Sequence, residues 1–273
     1  MDTTSDGLRI AYVRRGSGEP LVFLHGVGST KEIWRTQMAA LPVSFDCVAL
    51  DYRGYGESEV PPPACLRLRA HGARCISRAA FARDVFAVMD ACGMASAHLC
   101  GCSLGGVVAL EAYAQRSRRI RSLILVDAFA RHPHGLETIG DRLRTLFALG
   151  MESFAESRAA GVLKPQAALG NIAAVREQMR SIPLAVYAAA TQATWTGDYG
   201  ALLPQINQPV QVMWGEHDTI IAPRALSEEL VAKIPTASPL VVVPDAGHVP
   251  NVDNPEFFNA TLAAFVRSAS YRS

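Results

Sequence analysis

Residues 97–110, with the sequence AHLCGCSLGGVVAL, constrain the fold of this chain more than any other stretch. They read as an apolar strand, a tight turn that carries Ser103 and an apolar-faced helix, and residues 101–105 match the pattern G-x-S-x-G. A serine raised out of a strand-to-helix turn has a strained backbone crowded by neighbouring main chain, so the flanking positions need glycine. Gly101 and Gly105 meet that need. The helix that follows also directs its N-terminal amide dipoles at the turn, where they would stabilise negative charge.

Composition and charge exclude several classes of protein. The 273 residues, 49% of them hydrophobic, suit one large α/β domain. A formal net charge of +1 gives no support to binding of nucleic acid or an anionic membrane. No apolar run approaches the ~20 residues of a membrane span, and residues 1–16 lack the apolar region of a signal peptide. We therefore expect a cytoplasmic protein, and the sequence leaves open whether it is a monomer or a homodimer.

The hydrophobic pattern predicts alternating strands and helices interrupted by one long helical segment. Residues 7–14 alternate apolar and polar side chains, which predicts a half-buried antiparallel edge strand. Unbroken apolar runs predict buried strands at 21–24, 46–50, 121–126, 210–214 and 240–243. Residues 131–206 are mostly helical and longer than a strand-to-strand crossover requires. We expect a core of residues 1–130 and 207–273 with residues 131–206 inserted as a helical cap.

Shorter patterns predict one amphipathic helix in the cap and one surface loop in the core. The first cap helix is expected to bury one face, formed by Leu136, Ile139, Leu143, Leu146 and Phe147. Residues 59–77 contain three prolines and an arginine-rich run without a period, which predicts a surface loop. The six cysteines form no C-x-x-C pair and the histidines show no ligand pairing. We therefore predict neither a metal site nor a cofactor.

A serine nucleophile needs a base within hydrogen-bond reach and a third group that orients the base. In open α/β sheets such groups collect at the carboxyl ends of strands. Asp218 and His248 follow the last two predicted strands, in the chain order Ser…Asp…His that accompanies this type of serine turn. We predict Ser103 as nucleophile, His248 as base and Asp218 as the orienting acid. Asp127 also ends a strand and competes with Asp218 for that role.

Four further residues belong to the predicted site. The backbone N–H groups of Val27 and Leu104 are expected to form an oxyanion hole. His25 is interpreted as a structural residue that fixes the loop carrying Val27. Trp195, in the cap, is the candidate for lining the substrate pocket.

The chain resembles the α/β-hydrolase fold family over nearly its whole length. The resemblance rests on HGVG at residues 25–28, the D-x-R-G-x-G-x-S run at 51–58, GCSLGG at 101–106, WGEHD at 214–218 and GHVP at 247–250 followed by NPEF. It implies an α/β fold with a mostly parallel, eight-stranded-type sheet flanked by helices and a helical cap inserted in the core. Within the family the chain is similar to 3-oxoadipate enol-lactonases and related carboxylesterases.

The resemblance implies a cofactor-independent serine hydrolase that cleaves a small-molecule carboxylic ester or (enol-)lactone through an acyl-enzyme. Three alternatives stay open. The same triad serves hydrolases that break C–C bonds of ring-fission diketones, and a cofactor-free perhydrolase is another possibility. The fold is also compatible with a ligand-binding receptor that has little turnover, because a fold does not fix a function.

Overall fold

The computed structural model describes residues 1–66 and 75–270, and an eight-stranded sheet forms its centre. The strands are β1 Asp2–Ser5, β2 Leu8–Arg15, β3 Glu19–Leu24, β4 Phe45–Leu50, β5 Ala97–Cys102, β6 Ile120–Val126, β7 Val210–Gly215 and β8 Val241–Val243. The helices are α1 Arg35–Ala40, α2 Pro63–Leu66, α3 Arg78–Ala91, α4 Leu104–Arg116, α5 Gly135–Ala159, α6 Leu169–Arg180, α7 Leu184–Trp195, α8 Arg224–Lys233, α9 Pro250–Asp253 and α10 Pro255–Ser270. Among the described helices, none is both long and apolar enough to cross a membrane.

The strand order is β1-β2-β4-β3-β5-β6-β7-β8. β2 is antiparallel to both of its neighbours, β1 and β4. From β4 onward in this order, which includes β3, each strand is parallel to the next. The predicted mostly parallel sheet of eight strands is therefore confirmed. The prediction of residues 7–14 as an edge strand is wrong, because β1 pairs with β2 and forms the edge itself. β1 reads Asp-Thr-Thr-Ser and has no apolar pattern that would reveal a strand.

Two hydrophobic cores lie on the two faces of the sheet. In β3, Val22 and Leu24 belong to one core, whereas Leu21 and Phe23 belong to the other. Side chains alternate between faces along a strand, so a strand covered on both sides must be apolar throughout. Helices α3, α4 and α8 contribute to the first core and α1 and α10 to the second. This burial explains the unbroken apolar runs of the sequence.

Helices α5 to α7 lie between β6 and β7, and α5 packs against both α6 and α7. We keep the name cap for residues 131–206, which contain all three. Helix α5 is kinked at Gly150, where φ is +71° and ψ is 169°. The expectation of one continuous buried face is wrong at two positions: Leu136 and Phe147 are 79% and 56% exposed. Leu136 lies in the first turn of α5, and the buried stripe of the first half is formed by Ile139 and Leu146 with the partly buried Leu143.

The segment before α3 differs from the loop that the sequence predicts. Pro63–Leu66 form the short helix α2 within the segment 59–77. Residues 67–74, which carry most of the arginine-rich run, lie outside the described residues. Helix α3 has Ser77 as its N-cap, and the side-chain oxygen of Ser77 accepts a hydrogen bond from the N–H of Ala80 at 3.2 Å.

Candidate active site

Ser103 occupies the turn between β5 and α4 with φ of +56° and ψ of −117°, a backbone conformation that non-glycine residues rarely adopt. A Cβ atom at Gly101 would lie 2.2 Å from the carbonyl oxygen of Gly105. One at Gly105 would lie 2.0 Å from the carbonyl oxygen of Leu24. Both positions therefore require glycine, as the steric argument predicts, and the strained turn holds Ser103 at the carboxyl edge of the sheet.

His248 and Asp218 form a buried hydrogen-bonded pair. The distance from Nδ1 of His248 to Oδ2 of Asp218 is 2.6 Å. Burial alone would raise the pKa of Asp218, but His248 and the N–H of Ala222 bring it below the ordinary value. Asp218 is therefore ionised at neutral pH, and its carboxylate fixes the imidazole with a proton on Nδ1. Nε2 of His248 is left to accept a proton from another group.

Asp127 lies beside this pair. Its carboxyl accepts a hydrogen bond from the N–H of Gly215 at 3.0 Å. Burial raises the pKa of Asp127 well above its usual range, and the neighbouring charge of Asp218 raises it further. Donor atoms of Asp127, Asp218 and His248 lie within 4.8 Å of one another. The 2.6 Å contact of His248 with Asp218 requires a proton between the two atoms, which suits proton transfer better than a shared cation. The sequence offers Asp127 and Asp218 as partners for His248. The imidazole is hydrogen-bonded to Asp218.

The loop after β3 lies against the serine turn. A Cβ at Gly26 would be 3.5 Å from the Cβ of Ser103. His25 fixes this loop, because Nδ1 donates to the carbonyl oxygen of Gly26 at 2.9 Å and Nε2 accepts from the N–H of Tyr52 at 3.3 Å. Burial lowers the pKa of His25 to about 4, so the ring is neutral. The structural role expected for His25 agrees with these contacts.

The two predicted oxyanion donors differ in what the structure shows of their position. Leu104 is the first residue of α4, whose first N–H groups have no partner within the helix. Val27 lines a cavity that also exposes Ser103 and His248. Ser103 Oγ is buried and has no hydrogen-bond partner among the described residues. In enzymes without substrate the contact between nucleophile and base is often long and tightens in the complex.

Trp195, the candidate for the substrate pocket, lines this cavity. Arg142, Tyr187 and Met179 of the cap also line it, and the sequence reasoning missed them. The free space inside is about 30 Å³, little more than one water molecule needs. Arg142 could have been found, because it lies three residues after Ile139 and four before Leu146, on the buried stripe of α5. A charged residue on an apolar helix face marks a site candidate.

Comparison with known proteins identifies the family of this fold. Residues 21–261 match the model of the alpha/beta hydrolase family, and the chain belongs to that family. A protein of Azorhizobium caulinodans named carbamate hydrolase RutD is 27% identical, over 93% of each chain. Lipase 1 of Psychrobacter immobilis is 28% identical over 96% of this chain and 84% of its own.

Two solved structures extend the comparison. A thermophilic esterase from Thermogutta terrifontis has a TM-score of 0.85 and 27% identity, with 98% of each chain covered. The enol-lactonase from Burkholderia xenovorans has a TM-score of 0.85 and 25% identity, over 98% of this chain and 100% of its own. The resemblance to α/β hydrolases is therefore confirmed, and the chain is a hydrolase.

Proposed function

We propose that this hydrolase cleaves a carboxylic ester or a lactone through a serine-linked acyl intermediate. One observation carries the proposal. The strained turn displays Ser103 in a cavity shared with His248, whose other ring nitrogen is held by the ionised Asp218 at 2.6 Å. A serine, a histidine and an ionised acid that orients the histidine are the groups that acyl transfer uses, which supports the proposal.

The reaction has two stages. Ser103 Oγ attacks the carbonyl carbon and its proton moves to Nε2 of His248, while the N–H groups of Val27 and Leu104 stabilise the oxyanion. The C–O bond then breaks, and His248 returns the proton to the leaving oxygen. Water repeats the sequence on the acyl-enzyme, which releases the acid and restores Ser103. In a lactone the leaving oxygen stays tethered to the acyl group. No step requires a cofactor.

The known relatives narrow the substrates to be tried. Those named above are an esterase, an enol-lactonase, a lipase and a carbamate hydrolase. Esters, lactones, lipids with ester bonds and carbamates all contain a carbonyl carbon bonded to a heteroatom that can leave, so one mechanism of attack on that carbon serves them all. We propose a small-molecule substrate held between the sheet edge and the cap of residues 131–206.

The first prediction concerns Ser103. A fluorophosphonate reacts only with an activated serine, so it should modify Ser103 in the wild type and leave Ser103→Ala unmodified. Mass spectrometry of the digested protein reports the modified peptide. Ser227→Ala is the matched control, because Ser227 Oγ is also buried without a partner among the described residues and does not line the cavity. That variant should be labelled as fast as the wild type.

Absence of label on folded wild-type protein would contradict the proposal and favour a ligand-binding role. If Ser103 is labelled, the products formed from an ester, a lactone, a carbamate and a ring-fission diketone should then be identified. Cleavage of the diketone alone would replace the ester or lactone assignment by C–C bond hydrolysis.

A further inference from the structure

Two half-buried arginines of the cap, Arg142 and Arg158, have no carboxylate partner among the described residues. The exposed side chain of Arg131 lies in solvent and needs no such partner. The remaining arginines of the cap have acidic partners: Arg144 pairs with Asp141, Arg176 with Glu156, and Arg180 with Glu152 and Glu177. A partly buried cation without a counter-charge costs free energy unless an anion accompanies it. The unpaired arginines are therefore the exception that needs an explanation.

Arg142 lies at the inner end of this pair, in the wall of the catalytic cavity with Ser103 and His248. Its guanidinium donates one hydrogen bond to Oη of Tyr187 at 2.9 Å and stacks 4.4 Å from the ring centre of Trp195. These contacts fix the orientation of the group but use one of its five N–H donors. Nε1 of Trp195 is buried and has no partner among the described residues, which adds a further free donor.

Arg158 lies at the outer end. It lines a second cavity of about 260 Å³ together with Arg142, Trp195 and Ile221, and the last three also line the catalytic cavity. Burial, and after it the charge of Arg142, lowers the pKa of Arg158, which reflects two cations held near each other. The acidic residue of this second cavity, Asp141, is engaged by Arg144. The two adjoining cavities thus run from the nucleophile to a pair of uncompensated guanidinium groups.

We propose that Arg142 and Arg158 bind a carboxylate of the substrate, so that the substrates are esters or lactones that carry a second, ionised carboxyl group. The proposal rests on the proposed function of Ser103. A planar carboxylate matches the forked donors of a guanidinium and gives short charge-assisted hydrogen bonds. The reacting carbonyl lies at Ser103, and the chain that joins it to the carboxylate passes Trp195.

The test compares two substrates of equal length, 4-nitrophenyl butyrate and the 4-nitrophenyl monoester of succinic acid. They differ by a terminal methyl against a terminal carboxylate. We expect wild-type kcat/KM to favour the succinate monoester by about 10-fold or more, mainly through KM. Arg158→Met should lower that preference by about 10-fold, and Arg158→Lys, which keeps the charge without the fork, by less. Arg176→Met removes an arginine paired on the cap surface and should leave the preference unchanged.

Binding gives a second readout that needs no turnover. Monomethyl succinate should bind to the Ser103→Ala variant with an affinity that falls as salt rises, and isothermal calorimetry measures this directly. The charge-free methyl butyrate should bind more weakly.

Equal kcat/KM for the two esters in the wild type, or a preference that survives in Arg158→Met, would overturn the proposal. The two proposals fail separately. Absence of fluorophosphonate labelling in the wild type would contradict the serine mechanism. Normal labelling together with equal kcat/KM for the two esters would contradict only the binding of a carboxylate by Arg142 and Arg158.

Discussion

Residue by residue, the site divides two carboxyl groups into different roles by their surroundings. Asp218 is bonded to His248 and to backbone N–H groups, which keep it ionised. Asp127 has one such backbone donor and faces the charge of Asp218, so it holds its proton. Such a separation of neighbouring pKa values is what assigns acid and base roles in active sites. The sequence favours Asp218, which ends the WGEHD run at 214–218, and leaves Asp127 as a competitor. The separation of their pKa values depends on contacts across the fold, which the sequence does not reveal.

Replacement of Asp127 by asparagine tests this division. Asparagine can accept from Gly215 and donate to Asp218, as the protonated carboxyl does, so Asp127→Asn should keep activity within a few-fold. Asp218→Asn removes the ionised acid and should lower kcat by about 10⁴-fold. Steady-state kinetics at pH 7 compares the two variants. A loss in Asp127→Asn as large as in Asp218→Asn would show that the assignment of the two acids is wrong.

The same substitution has a pH-dependent effect on stability. The pKa of Asp127 is raised in the folded protein, so the folded state retains a proton that the unfolded state loses above its ordinary pKa of 3.8. Wild-type stability therefore falls as pH rises from about 4 through the folded pKa, by up to about 1.4 kcal/mol per pH unit. Asp127→Asn lacks this loss. Urea unfolding at pH 5, 6.5 and 8 should show an advantage of the variant that grows with pH, and a constant difference would contradict the proton on Asp127.

Among the elements, the sequence is most informative where the local chain determines the structure. The serine turn is forced by steric contact of Gly101 and Gly105 with neighbouring main chain, and strand β3 is apolar because both of its faces are covered. By contrast, β1 is polar and only four residues long. It pairs with the following strand β2, and no hydrophobic pattern in its own sequence indicates this pairing. The kink at Gly150 also escapes sequence reasoning, because a glycine is tolerated within a helical pattern.

The kink in α5 builds the arginine pair. Arg142 and Arg158 are sixteen residues apart, a distance of about 24 Å along a straight helix. They line one cavity because the chain changes direction at Gly150, where φ of +71° with ψ of 169° is a conformation open to glycine alone. The specificity that we propose for the site therefore depends on a backbone feature remote from Ser103.

Gly150→Ala should consequently lower both stability and substrate preference. Within the part of the chain that the structure describes, no packing atom lies within 4 Å of the new Cβ, so the cost is backbone strain of about 1–3 kcal/mol. We expect the preference for the succinate monoester to fall as the two arginines separate. Gly140→Ala is the control, because Gly140 lies in the regular first half of α5 and should gain up to about 1 kcal/mol. Thermal unfolding and the two-ester assay check both variants, and identical behaviour of the two would refute the role of the kink.

At the scale of the whole molecule, helix α6 packs against the loop that follows β3. In α6, Oε1 of Gln178 accepts hydrogen bonds from the N–H and Oγ1 of Thr30 at 3.2 and 3.4 Å. The Cε atom of Met179 lies only 2.7 Å from the position of a Cβ at Gly28. Helix α6 therefore covers the loop that carries the predicted oxyanion donor Val27. No sequence pattern predicts which cap helix does so, because the contact joins segments nearly 150 residues apart.

Under the proposed function, we expect Met179 to limit the room for an acyl chain. Met179→Ala removes a buried side chain from the cavity wall, and we expect kcat/KM for 4-nitrophenyl hexanoate relative to the acetate ester to rise by about 10-fold. Its unfolding free energy should fall by about 2–5 kcal/mol, as for other buried methionines truncated to alanine. Met89→Ala is the matched control, since Met89 is equally buried in α3 and does not line the cavity. That variant should lose similar stability with no change in chain-length preference. If both variants shift the preference alike, general loosening and not space beside Ser103 controls acyl length.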